Sequence, residues 1–338
     1  MTTSPVDSAR GGLARAFAWH RPLMAVAALM VVCSVVCVVG AIVDPRQVTG
    51  AEVWLKPLKF SLSILVYSVT WAWLIAQLPE GRGRLRRTAH RAGTVIAVAL
   101  AVEQVAIVGA AAAGVTSHFN VSNGFAATVW GTMAVSITVL YVASFVTTAL
   151  LFRLRLSTRS LTVAVRAGAL IALVGMGLAF LMTGPTAAQL DDYQGIVGAH
   201  TVGLADGGPG LPLLGWSTVA GDLRIPHFVG MHALQVIPLV AIALDALGRR
   251  GRRLADDRVR LRLVVVTVAA YAATLAVLTA QALAGQSIVR PDAGFAAAGW
   301  IVALGTVVAW VGVLVLAGRR SARPPALAPE AVPAEARS

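Results

Sequence analysis

Four of the six histidines in this chain, His118, His200, His227 and His232, fall in segments that also carry acids and amides. Imidazole titrates near neutral pH and is the commonest metal-binding side chain. The acids available to it are Glu103, Asp206 and Asp222; the other polar candidates are Lys56, Lys59, Asn120, Arg224 and Gln235. Two chemistries suit these residue types. The four histidines would ligate a metal ion or a haem, with Glu103, Asp206 or Asp222 moving protons as acid and base. Lys56, Lys59, Asn120, Arg224 and Gln235 would hold a small molecule, a lipid or a quinone.

Spacing sharpens some of these roles. His227 and His232 are five apart, about 140° around a helix, so they do not form the i,i+4 pair that chelates one ion. His232 and Gln235, three apart, share a face. With Pro226 in the first turn, His232 lies about 9 Å and Gln235 about 13 Å inward from the helix start. Lys56 and Lys59 are the only lysines, and they flank Pro57. Their bland reading is a stem laid along the membrane interface; the sharper one is an anion or proton site, since lysine, unlike arginine, can give up its proton. Each histidine has its own bland reading as a hydrogen-bonded interface residue. Asp222 and Arg224 could simply pair across a turn, and Asp206 in Asp-Gly-Gly-Pro-Gly is equally a turn former.

The elements that must position these groups are membrane helices. The chain is 57% hydrophobic and only 13% charged, too apolar for a soluble protein of this length. A hydrocarbon core roughly 30 Å thick needs about 20 apolar residues per span. Eight segments meet that need: 22–43, 60–78, 93–115, 126–151, 167–183, 226–247, 263–285 and 295–317. The expected fold is all-α, an integral membrane bundle of about eight helices. Residues 1–21 form a cytoplasmic tail, 22–317 a single membrane domain, and 318–338 a disordered cytoplasmic tail. Span one reads as a retained helix rather than a cleaved signal.

Charge sets the orientation. With eight spans, all basic residues except Arg46, Lys56, Lys59, Arg224 and Arg290 fall on one side, which makes that side cytoplasmic. A net charge of +13 is therefore a topology signal and does not imply nucleic acid. The four candidate histidines fall on the other side, whereas His20 and His90 lie in basic cytoplasmic segments and read as solvated. Glu103 is the exception in depth, roughly 18 Å below the outer end of span three. An acid there costs about 2.5–3.5 kcal/mol and calls for a partner or a water-filled cavity.

The outer loop from Gly184 to Ile225 is the longest and holds nine glycines. Its apolar residues Leu211, Leu213, Leu214 and Trp216 predict that it folds back over the bundle as a lid or re-entrant segment. Cys33 and Cys37 share a helix face and read as packed small residues. A phosphate-binding GxxxxGK[ST] loop, a CxxCH haem attachment and an HExxH zinc helix are absent from the sequence.

The strings Trp54-Leu-Lys56-Pro57-Leu-Lys59-Phe60, Ser117-His118-Phe119-Asn120 and Gly221-Asp222-Leu-Arg224-Ile-Pro-His227-Phe, followed by Gly230-Met-His232-Ala-Leu-Gln235, carry a resemblance. Through them the chain resembles an uncharacterised family of bacterial polytopic membrane proteins, which implies a span-region likeness and no activity. The expected place is the bacterial cytoplasmic membrane, with the lipid bilayer as constant partner. The leading expectation is a ligand or cofactor site in the outer half, in an enzyme acting on a lipid or quinone. The alternatives are a proton-coupled secondary transporter and an assembly subunit docked to another membrane protein.

Overall fold

Helix starts are written locally into the chain. His20 caps the first helix, α1 (Arg21–Val43), through its ring nitrogen. A short hairpin follows, β1 (Gln47–Val48) against β2 (Ala51–Glu52), turning on Thr49 and Gly50, both at positive φ, as such two-residue turns require. The second helix, α2 (Leu55–Ala76), takes Pro57 in its first turn, where the missing N–H costs nothing. α3 (Gly83–Ala113) leads to α4 (Gly124–Leu151), which Asn123 caps, and then α5 (Arg159–Gly177), which Thr158 caps. A 3-10 turn (Leu178–Met182) and α6 (Ala187–Asp191) open the long loop. That loop closes through β3 (Thr201–Val202), paired antiparallel with β4 (Gly221–Asp222). α7 (Arg224–Met231), α8 (Ala233–Gly248), α9 (Asp257–Leu283) and α10 (Ala293–Ser321) complete the order. This computed structural model describes residues 12, 14–79 and 83–321. Most of both expected tails, and Arg82, lie outside them.

Among the described residues seven helices are long and apolar enough to cross a membrane, and α7 with α8, bent by 42° where they join, make an eighth when the pair is taken as one span. The protein is thus a multi-pass helical membrane bundle. The helices depart from the expected spans at their ends. α2 begins at Leu55 rather than residue 60, which brings Lys56 and Lys59 into its first turns. α3 begins ten residues early, taking Arg84, Arg86, Arg87 and Arg91 into the helix. The sixth span begins at Arg224, with Pro226 still in its first turn, and it is broken at His232.

That break has identifiable causes. The α7 backbone at Gly230 packs onto Gly175 of α5 so closely that neither position has room for a Cβ. The Tyr271 hydroxyl donates to the Val229 carbonyl at 2.6 Å, satisfying an acceptor next to the break. Small residues allow this approach, which is how membrane helices gain contact where lipid supplies no hydrophobic drive.

One large apolar cluster, with Leu23, Trp71, Ile96, Leu140, Val165, Leu234 and Leu263 among its members, fills the bundle. A small second cluster of Phe119, Met182, Leu223 and Ala282 lies under the long loop. Valines on α1 and Trp300, Ile301, Val308 and Val311 on α10 are exposed and form lipid-facing surface. The bundle has an end that bears the long loop and an end rich in arginine. At the arginine end one expectation is corrected: His20 is 1% exposed. Its Nδ1 accepts from Leu23 N–H, so its Nε2–H donates to the His90 carbonyl at 3.0 Å.

Candidate functional site

Lys56, His118 and Glu103 form one connected chain near the loop end. Lys56 Nζ donates to His118 Nδ1 at 3.2 Å, and the Ser117 hydroxyl lies 3.0 Å from the same nitrogen. With Nδ1 accepting, the ring proton belongs on Nε2, which faces Glu103 Oε1 at 3.4 Å. Glu103 is 2% exposed, and its second oxygen, Oε2, has no hydrogen-bond partner. His118, which follows α3 in a loop, does not stay at the edge of the bundle. Glu103 lies about 15 Å below the end of α3 at 1.5 Å per residue, so the loop after α3 must send the His118 side chain into the bundle to reach it.

Backbone geometry explains that dip. Phe119 adopts φ +65°, a left-handed conformation unusual for a bulky residue. Its ring is buried against Trp130, with centroids 5.1 Å apart, and against His200 at 4.9 Å. Gly198 packs so tightly on Phe119 that an added Cβ would lie 2.8 Å from its ring. The loop therefore holds Phe119 in place, and Phe119 turns His118 inward. Phe60, Phe119 and Trp130 surround the imidazole at 5.8, 5.9 and 5.5 Å between centroids. Burial first, and the neighbouring Lys56 charge second, hold His118 well below the ordinary histidine value. Gln104 floors the site, donating to Ser61 Oγ at 2.9 Å and to the Pro57 carbonyl at 3.2 Å, with Cys33 Sγ at 3.3 Å. Cys33 and Cys37 are free thiols 3.9 Å apart on one face, as their spacing predicts.

A second pair lies across Phe119. Asp206 Oδ2 lies 2.5 Å from His200 Nδ1, and Asp206 also accepts from the His200 and Thr201 backbone N–H groups and the Thr201 hydroxyl. Burial pushes the Asp206 carboxyl up, but the hydrogen bonds from His200 and Thr201 outweigh it and hold the group well below the usual carboxylate range. His200 itself is lowered by burial against the opposing pull of Asp206. The Asp fixes the ring through Nδ1, the geometry of an oriented base.

The other candidates are spread over different tasks. Asp222 binds Arg224 through both carboxylate oxygens, the shorter contact being 2.6 Å, and accepts from Ser217 N–H. Arg224 also donates to the Gly215 carbonyl, so the pair staples the loop. Lys59 donates to the Leu214 carbonyl at 2.7 Å. Asn120 accepts from Ser122 in a local turn while its backbone bridges to Ile196. His227 donates from Nδ1 to the Gly175 carbonyl at 2.8 Å, beside the glycine contact. His232 stands at the helix break with Gln235 Oε1 at 3.2 Å and Ser63 Oγ at 3.1 Å. The shared face expected of His232 and Gln235 is present. Their straight-helix depths are not, because the helix bends between His227 and Gln235.

The metal set expected from sequence, His118, His200, His227 and His232, does not assemble. Among the described residues no three His, Cys, Asp or Glu side chains are grouped to hold a metal ion. The sequence reading missed Phe60, Phe119 and Trp130 as walls, Ser117 as a neighbour of His118 Nδ1, and Ser61 as partner of Gln104. A signal existed for the last, since α2 has the lowest mean hydropathy of the seven span-length helices, 1.5. Comparison with known protein families, curated proteins and solved structures finds no match.

Proposed function

We propose that this is a bacterial cytoplasmic-membrane protein whose loop end faces outward and whose Lys56–His118–Glu103 chain binds and passes a proton, coupling proton entry to movement of a small solute. The observation that carries the reading is His118, hydrogen-bonded to a lysine on one ring nitrogen and facing a buried acid with the other. A neutral imidazole in that place can take a proton on Nδ1 when Lys56 moves aside and release the Nε2 proton to Glu103. The His200–Asp206 pair stands nearer the outer surface and supplies the entry point. The bent span at His232 supports the carrier reading, because broken helices at mid-depth are the usual hinge and binding elements of secondary transporters.

The test is proton flux. Proteoliposomes loaded with a pH-sensitive dye would receive an inside-negative potential, then external amino acids, sugars or carboxylates in turn. Solute-dependent acidification, lost in both Glu103→Gln and His118→Gln, is expected. Acidification equal in wild type and variants, or absent for every solute, overturns the carrier reading. A second reading, a membrane enzyme moving a proton at a lipid or quinone, draws on the aromatic wall of Phe60, Phe119 and Trp130, which suits a flat ligand. It predicts tight retention of a quinone through purification, reduced by Trp130→Ala.

A further inference from the structure

Polar side chains continue down α2 well past the site. Below Lys56 come Ser61, bound to Gln104, and Ser63, 3.1 Å from His232. Tyr67 follows, 2.9 Å from Ser144 of α4, then Thr70, 3.4 Å from Gln235 Nε2. Ser144 donates to the Leu140 carbonyl, so Tyr67 is the donor in the bond between them. No two successive polar groups on α2 are more than five residues apart, about 7.5 Å along the helix.

Beyond the Tyr67–Ser144 bond the polar groups persist but their partners stop. Ser68 Oγ and Thr148 Oγ1 have no hydrogen-bond partner among the described residues, and Trp71 Nε1, near the Tyr67 hydroxyl, makes no bond of full geometry. The three residues are 0%, 2% and 3% exposed. Trp71 lies one turn beyond Tyr67, and Thr148 one turn beyond Ser144. Both helices run from the loop end to the arginine end, so both steps lead the same way. The Tyr67 and Trp71 rings meet edge to face at 6.2 Å, which joins Trp71 to the Tyr67–Ser144 bond. Trp71 is five residues from the end of α2 and Thr148 three from the end of α4, within about 8 Å of the arginine end.

Leaving such groups dry is expensive, and proteins commonly resolve it with buried water that finds polar partners. We propose that Ser68, Trp71 and Thr148 form a binding site for a short file of water molecules, which carries protons between the Lys56–His118–Glu103 site and the arginine end. The proposal rests on the proton-handling reading and completes its route across the bundle. Trp71 Nε1 can only donate, so it fixes the orientation of one water; the two hydroxyls donate and accept, so they can follow a proton in either direction. A proton entering one end releases another at the far end by exchange of O–H bonds along the file, with no net change in any side chain.

Single cysteines test it, placed in a Cys33→Ser/Cys37→Ala background. In vesicles with the arginine end outward, Ser68→Cys and Thr148→Cys should react with a small water-soluble methanethiosulfonate reagent. Leu74→Cys, at an equally enclosed apolar position on the same helix, should react at least tenfold more slowly. Uniform inertness of all three overturns the proposal. Hydroxyl-radical footprinting of the unaltered protein gives a reading free of substitution. Trp71 should be oxidised while Met30, equally enclosed at 1% exposure, is spared; Trp71 as inert as Met30 overturns the water site. Labelling without proton flux would leave the file standing and remove the carrier reading, and flux without labelling would do the reverse.

Discussion

His118 Nε2 lies 3.4 Å from Glu103 Oε1, although the histidine belongs to a loop and the acid to the interior of a membrane helix. The contact joins two residues fifteen apart in sequence by folding the loop back into the bundle. It gives the costly buried acid a partner, with Lys56 bonded on the far side of the ring.

The first prediction concerns that chain as a unit. Lys56→Met and Glu103→Gln should each destabilise detergent-solubilised protein by about 1–3 kcal/mol, because each leaves a buried polar group short of a partner. The double variant should cost less than the sum, since His118 couples the two sites. Thermal melts of the four proteins check this; strict additivity would show that the chain is not connected.

A second prediction follows from Phe119. Gly198 is held at φ +115° and its hydrogen faces the Phe119 ring. Gly198→Ala adds both backbone strain and a collision, so a loss of about 1–3 kcal/mol is expected. The same change should release His118 from Glu103, which nitrogen chemical shifts of the imidazole would report.

Asp206 is expected to govern loop closure. Asp206→Asn loses the charge that binds His200 and Thr201, at a cost of about 1.5–3 kcal/mol. Limited proteolysis should then cut within residues 203–215 faster than in wild type. Unchanged cutting would mean that the Asp222–Arg224 staple alone holds the loop.

Acid should weaken the fold through its histidines. Folding lowers His118 and His200 from the ordinary 6.5, so below that pH the unfolded chain takes up protons that the folded protein refuses. Stability is therefore full above about 6.5 and declines as pH falls toward the lowered folded values. Asp206, held low, adds little to this window; its contribution begins to fade as pH falls through the ordinary carboxylate value of 3.8 and is gone below its lowered folded value. Melting at pH 5.5 should fall several degrees below that at pH 7.5, and His200→Gln should flatten the slope.

The sequence by itself determined the class and the inventory. Apolar runs of membrane length can be buried only as hydrogen-bonded helices, so the bundle followed from composition. The pairing of Asp222 with Arg224 and of His232 with Gln235 was open to reading because both depend on short, local spacing. Of the apolar residues behind the expected lid, Trp216 packs against Phe228 while Leu213 and Leu214 stay exposed, so the leucines were a poor guide to how the glycine-rich loop folds. Tertiary structure alone decided which candidates meet. His118 met Glu103 and Lys56 because a left-handed Phe119 and a close Gly198 send it inward, and no local pattern encodes a contact between three elements. The four histidines do not gather into one ligand set, for the same reason. Each is held by its own neighbours, His200 by Asp206 and His227 by the Gly175 carbonyl, and such long-range partners are set by helix packing rather than by spacing along the chain.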